Sequence, residues 1–176
     1  MSGASVDRSR RAFLFGAEAE NQSDPALRPP WALRDVFAEL CTGCGDCLTA
    51  CPEGIVALDD ANRAVVDFRR GAGLCSFCGA CADVCAEPVF VAPAARATTA
   101  PWTLRVIIGS DCLARDGVMC QTCKDACGDG AIRFVYAAGR IPEPSVDLEK
   151  CTGCGGCVAP CPASAIELHR IEAADA

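Results

Sequence analysis

Sixteen cysteines divide this 176-residue chain into quartets with none left over. Cys41, Cys44, Cys47 and Cys51 stand at C-x2-C-x2-C-x3-C spacing, followed by Pro52. Cys75, Cys78, Cys81 and Cys85 repeat the spacing, with Ala86 in place of the proline. Cys151, Cys154, Cys157 and Cys161 repeat it again ahead of Pro162. The third quartet in chain order is Cys112, Cys120, Cys123 and Cys127. It keeps the last two gaps but carries seven residues (LARDGVM) between its first two cysteines. The quartet tails match as well: CPEGIV, CAEPVF, CGDGAI and CPASAI. A repeat of this regularity sets the architecture before any single element does.

The spacing is that of the bacterial run for a [4Fe–4S] cluster. Three thiolates, each three residues apart on a tight loop, converge on three irons of one cubane. In the last quartet Gly153, Gly155 and Gly156 let the backbone pass close to the cluster without a side chain in the way. That approach aims N–H groups at the sulfurs, which raises the potential. The fourth cysteine starts a helical turn and points away, and in two-cluster ferredoxins it ligates the other cluster. Pairing quartet one with two predicts Cys41, Cys44, Cys47 and Cys85 on one cluster, and Cys75, Cys78, Cys81 and Cys51 on the next. Pairing three with four predicts Cys112, Cys120, Cys123 and Cys161 on a third, and Cys151, Cys154, Cys157 and Cys127 on a fourth. The spacing equally permits the outer quartets to pair together and the inner two together. All sixteen cysteines are thus candidate metal and cofactor ligands for [4Fe–4S] clusters, with four clusters expected. The stretched third quartet departs most from the standard run.

Two other uses of cysteine fit less well. Disulfide scaffolds are common in cysteine-rich chains, but cysteines three residues apart in regular quartets are poor partners for one another. Zinc sites usually join two C-x2-C knuckles across a longer gap. A third cysteine at the next x2 step, then x3, suits a cubane.

The net charge is −7 before any cluster is added, which argues against nucleic acid or an anionic membrane as partner. No stretch approaches the 18 apolar residues of a membrane span. The 51% apolar fraction overstates the core, because alanine and cysteine supply more than half of it and aromatics only 6%. Units this small lean on metal for stability. His169 is the single histidine, read as a surface residue past the last strand. With no acid–base constellation and no nucleotide-binding glycine loop, the chain is not expected to be an enzyme.

The fold class expected is α+β, with tandem bacterial-ferredoxin-like units of short hairpins and short helices around the clusters. Residues 1–32 read as an arm, mostly extended or disordered. It contains Ser9-Arg10-Arg11-Ala12-Phe13-Leu14, similar to a twin-arginine export signal. Phe13-Leu14-Phe15 is followed at once by the charged and polar GAEAENQSDPALRPP, so no apolar h-region is read and the motif reads as non-exporting. Arg28-Pro29-Pro30-Trp31-Ala32 closes the arm, with Trp31 anchoring on the first unit. Residues 33–93 form that unit, with strands expected at 36–40, 55–58 and 64–68 and a turn at DDAN. Residues 94–103 are a linker. Residues 104–170 form the second unit, with strands at 104–108, 132–136 and 145–148, and 171–176 are a tail. Arg69 and Arg70 read as solvated.

The arm, the Arg28–Ala32 segment and the quartets in this order, stretched third included, resemble the NapF family of ferredoxin-type proteins of the periplasmic nitrate reductase system. The resemblance implies a cytoplasmic protein despite its twin arginines. It implies contact with the catalytic subunit of nitrate reductase, a molybdopterin protein with its own [4Fe–4S] cluster. It also implies a part in maturing that subunit before export, by supplying clusters or electrons. The quartets fit an ordinary electron relay to a redox enzyme equally well.

Overall fold

The computed structural model describes residues 26–136 and 141–171. The Ser9–Leu14 motif, part of the 137–144 connection and most of the C-terminal tail lie outside the described residues. Each unit is a central hairpin flanked by cysteine loops, closed by pairing of its first segment with its last.

In the first unit α1 (Arg34–Leu40) leads into α2 (Asp46–Ala50), then β1 (Val56–Leu58) and β2 (Ala64–Val66), then α3 (Ala80–Asp83). β1 and β2 pair antiparallel, with Val56 opposite Val66 and Leu58 opposite Ala64. Asp59 makes the turn: its Oδ1 accepts the backbone N–H of Ala61 at 3.0 Å and of Arg63 at 2.9 Å. Short carboxylate side chains favour turns for this reason.

A strand was expected at 36–40, and the structure has a helix there. Leu33, Phe37 and Leu40 recur at helical spacing. Phe37, 1% exposed, packs with Val56, Ala64 and Val89, while Asp35 and Glu39 face solvent. The linker also holds a turn of helix, α4 (Pro93–Arg96), started by a proline at its first position.

The second unit runs β3 (Leu104–Ile108), α5 (Thr122–Asp125), β4 (Ile132–Val135), β5 (Glu143–Val146) and β6 (Ile166–Arg170). β4 and β5 form its hairpin, with Ile132 opposite Val146. β5 starts two residues before the expected 145–148, taking in Pro144 opposite Phe134. A two-stranded sheet has only edges, which tolerate a proline. β3 pairs antiparallel with β6, from Leu104 opposite Arg170 to Ile108 opposite Ile166. Leu104, Val106 and Ile108 turn inward and Ile107 outward, the period-2 pattern of a half-buried strand. His169 therefore lies within a strand, opposite Arg105, and not beyond the last one. It remains half-exposed beside Glu167, at 2.9 Å.

The first unit closes in the same way but more briefly. Ala32 bridges Phe90, flanked by Leu33 N–H to Val89 O at 2.8 Å and Val91 N–H to Trp31 O at 2.9 Å. Pro29, Pro30, Pro88 and Pro93 stand close on either side, and a residue without an N–H limits a ladder. Trp31 anchors against the linker: its Nε1 donates to Thr99 O at 2.9 Å and its ring lies under the Arg96 guanidinium. Arg69 and Arg70 are exposed, as expected.

Among the described residues Arg28 is the buried charge, 3% exposed. Its guanidinium donates to Asp59 Oδ2 at 2.9 Å and to Ala64 O at 3.0 Å, and lies over the Phe37 ring. Burial alone would raise the Asp59 carboxyl. The Arg63 N–H and the Arg28 guanidinium outweigh it and hold the group below the ordinary carboxylate range. Arg28→Ala is expected to cost about 2 kcal/mol or more, because it leaves two acceptors without their donor. Asp59 is depressed in the folded state. Its contribution is present above the unfolded value and is lost as pH falls through the folded one, below about pH 4. Thermal melts of loaded wild type and variant should therefore differ at neutral pH and converge in acid.

Candidate metal centres

Four cavities carry the cysteines. The first is lined by Cys41, Cys44, Cys47 and Cys85. The second is lined by Cys51, Cys75, Cys78 and Cys81, and the third by Cys112, Cys120, Cys123 and Cys161. The fourth is lined by Cys127, Cys151, Cys154 and Cys157. We number the sets accordingly. In every case three cysteines come from one loop and the fourth from the partner quartet of the same unit. The structure thus brings together one with two and three with four, not outer with outer and inner with inner.

The loops are shaped by what lies behind them. Gly43 has φ +69, and a Cβ there would collide with Asn62 in the β1–β2 turn. The hairpin tip thus braces the first loop. The fourth cysteines, Cys51, Cys85, Cys127 and Cys161, each follow a helical turn that carries them across to the neighbouring cavity. The stretched loop of set three is absorbed locally. Residues 113–119 fold as a turn closed by Arg115 N–H to Cys112 O at 2.9 Å and Val118 N–H to Leu113 O at 2.8 Å. Ala114 is buried within it, and Cys120 returns to the same cavity as Cys112.

The walls are apolar, and the innermost thiols feel it. Burial pushes Cys81 and Cys157 up to about 12, and nearby thiols push the same way. Cys47, Cys75 and Cys123 stand at about 11, chiefly through burial. Such groups stay protonated at neutral pH unless a cation replaces the proton. Backbone N–H groups already point at sulfur, among them Phe77 to Cys75 Sγ at 3.4 Å and Ala131 to Cys127 Sγ at 3.3 Å. Among the described residues, no three His, Cys, Asp or Glu side chains converge tightly enough to hold one metal ion. Four cysteines lining one cavity suit a polynuclear cluster, in which each thiolate takes its own iron.

The seam between the units was not legible beforehand. Phe68, at the end of the first hairpin, forms a core cluster with Ile55 and Val66, and Trp102, Val158 and Leu168 pack against it. Trp102 meets the rings of Phe68 and Phe77 edge-on and donates from Nε1 to Thr152 O at 3.2 Å. A tryptophan near the end of the linker was the one available signal.

The matching domain family is the 4Fe-4S dicluster domain, found twice, over residues 31–89 and 118–165. Fold and site together define a tandem dicluster ferredoxin with [4Fe–4S] clusters as cofactors. Over 172 residues the chain is 37% identical to the ferredoxin-type protein NapF of Haemophilus influenzae, covering 93% of this chain and 94% of that protein. Over 169 residues it is 36% identical to NapF of Escherichia coli K12, covering 96% and 98%. The methylamine utilization ferredoxin-type protein MauM of Methylorubrum extorquens is 32% identical over 156 residues, covering 77% and 68%. The chain belongs to the NapF family of ferredoxin-type proteins. It is an iron–sulfur electron-transfer protein and not an enzyme. No helix among the described residues is long and apolar enough to cross a membrane.

Proposed function

We propose that this chain is a cytoplasmic polyferredoxin that binds the catalytic subunit of a periplasmic nitrate reductase and takes part in its maturation before export. The observation that carries the reading is the set of four cysteine-lined cavities, in a chain that matches NapF proteins over most of its length. The sixteen cysteines hold four [4Fe–4S] clusters, in the sets numbered above. Such a cluster, when bound, accepts or gives up a single electron.

The chain's own residues do the rest. Cys81, Cys123 and Cys157 are buried and supply thiolates away from water. The N–H groups of Phe77 and Ala131 donate to ligand sulfurs and favour the reduced, more negative state. Gly43 keeps the first loop against the hairpin tip. Residues 1–25 supply the docking element, and a partner of iron–sulfur and molybdopterin chemistry fits a chain that manages clusters.

The test is the iron content of the nitrate reductase catalytic subunit isolated from the cytoplasm of cells lacking this protein. Loss of that subunit's cluster is the expected result. A full cluster with only electron delivery impaired would withdraw the maturation role and leave a relay. Deleting residues 2–25, which spares the buried neighbourhood of Leu27, should leave this chain's own iron unchanged and weaken binding to that subunit.

A further inference from the structure

The two units meet at their cysteine loops. The backbone N–H of Cys75 donates to the carbonyl of Cys154 at 2.8 Å. Cys75 belongs to set two and Cys154 to set four. The residues on either side also abut. A Cβ on Gly155 would collide with the Phe68 ring. One on Gly73 would stand 3.0 Å from Ala159 Cβ, and one on Gly156 would stand 3.6 Å from Leu74 Cβ. Trp102 seals the flank against Phe68 and Phe77. Residues 68–75 thus lie along residues 153–159, loop on loop.

Within the units the other neighbours are plain. In the first, Cys47 and Cys51 come from α2 and its cap, and they line the cavities of sets one and two respectively. In the second, the buried Cys123 of set three and Cys157 of set four share one core cluster.

We infer that the chain holds its cysteine sets in a single row, in the order one, two, four, three, with the Cys75–Cys154 hydrogen bond joining the two halves. The inference rests on the reading that the sets hold [4Fe–4S] clusters, and it adds which of them are neighbours across the units. Chain order would instead put set three beside set two. The bridge is short: two ligand backbones and one hydrogen bond separate the two sulfurs. With clusters bound on sets two and four, one electron crossing it would oxidise one cluster and reduce the other, with no bond or proton changed. Its source is a low-potential one-electron donor protein and its sink an iron–sulfur acceptor. Sets one and three are the ends of the row.

The test reads magnetic interaction, not turnover. The full chain is loaded and purified without oxygen, reduced with dithionite and studied by electron paramagnetic resonance. In Cys44→Ala with Cys120→Ala the outer sets lose a ligand each and the inner two are left. The expected result is about half the iron and a spectrum broadened and split by two interacting spins. Half the iron with two sharp, magnetically isolated signals would overturn the row. If the alanine pair does not load, Cys44→Asp with Cys120→Asp keeps an oxygen ligand on each outer set and moves their signals aside. The inner pair is then read for the same two outcomes. Unsubstituted chain without iron would instead remove the cluster reading beneath the inference.

Discussion

Stripping the iron from the loaded chain, without oxygen and with a chelator, is expected to unfold it. The apolar material is thin. The largest fully buried side chains among the described residues are Phe37, Ile55, Leu104 and Val89. The core clusters are completed by cysteine: Cys41, Cys47, Cys51 and Cys85 around Phe37, and Cys112, Cys127, Cys151 and Cys161 around Val106. A unit of this size buries only about 60% of the surface its open chain exposes. Typical domains hold about 5–15 kcal/mol in total, and structural zinc in zinc-finger peptides, the nearest small-domain precedent for metal-driven folding, contributes about 10–16 kcal/mol. Losing the metal therefore exceeds what the remaining core supplies. The stripped cavities would also leave thiols facing one another across apolar walls. Far-UV circular dichroism and a thermal melt, taken alongside iron content, check this. A cooperative melt in the iron-free chain would show that the apolar clusters suffice alone. Cys154→Ser is the milder version. It should lower iron and destabilise the second unit while the first keeps its clusters. Normal iron and an unchanged melt would remove Cys154 from the ligand set.

The quartets carried more of this structure than any other feature. Their spacing is a local matter: a loop of three cysteines at x2 steps can only close on something the size of a cubane. The fourth cysteine follows a turn whose direction is set within a few residues. The partner quartet could not be read so directly, because both pairings satisfy the same local rule, and the hairpin between quartets decides between them. The stretched loop at 113–119 altered the motif without altering the cavity, since the extra residues fold back on Cys112. What stayed hidden was long-range. The helix at Arg34–Leu40 was read as a strand because the run is short and apolar, and the 33/37/40 spacing is decided only by Phe37 packing against Val56 and Val89. β6 was hidden because its partner β3 lies some sixty residues earlier, so His169 sits in a ladder that nothing near it announces. The Arg28–Asp59 pair was hidden for the same reason: a charge 31 residues from its partner looks like any solvated arginine.

Phe68→Ala is expected to have the second large effect, and it falls on the join between the units. The side chain is 5% exposed and fills the space beneath Gly155, whose φ of +84 and missing Cβ let the ring approach. It also supports Trp102 edge-on at 6.0 Å. Truncating a buried phenylalanine usually costs about 3–5 kcal/mol, part of it for the cavity left behind. Here the cavity opens between two bodies joined by a linker, so relaxation takes the form of separation. The single unfolding transition of the loaded chain should split in two, with the first unit melting at lower temperature because Ile55 and Val66 lose their cover. The iron content before heating should match wild type, since no ligand is touched. Gly155→Ala attacks the same contact from the other side. It adds a Cβ where the ring already stands, in a backbone conformation that costs alanine strain. The two variants should therefore agree on the split transition while differing in how much iron set four retains. A single transition shifted downward as a whole in Phe68→Ala would mean that the linker and the Cys75–Cys154 bond hold the units together without the aromatic seam.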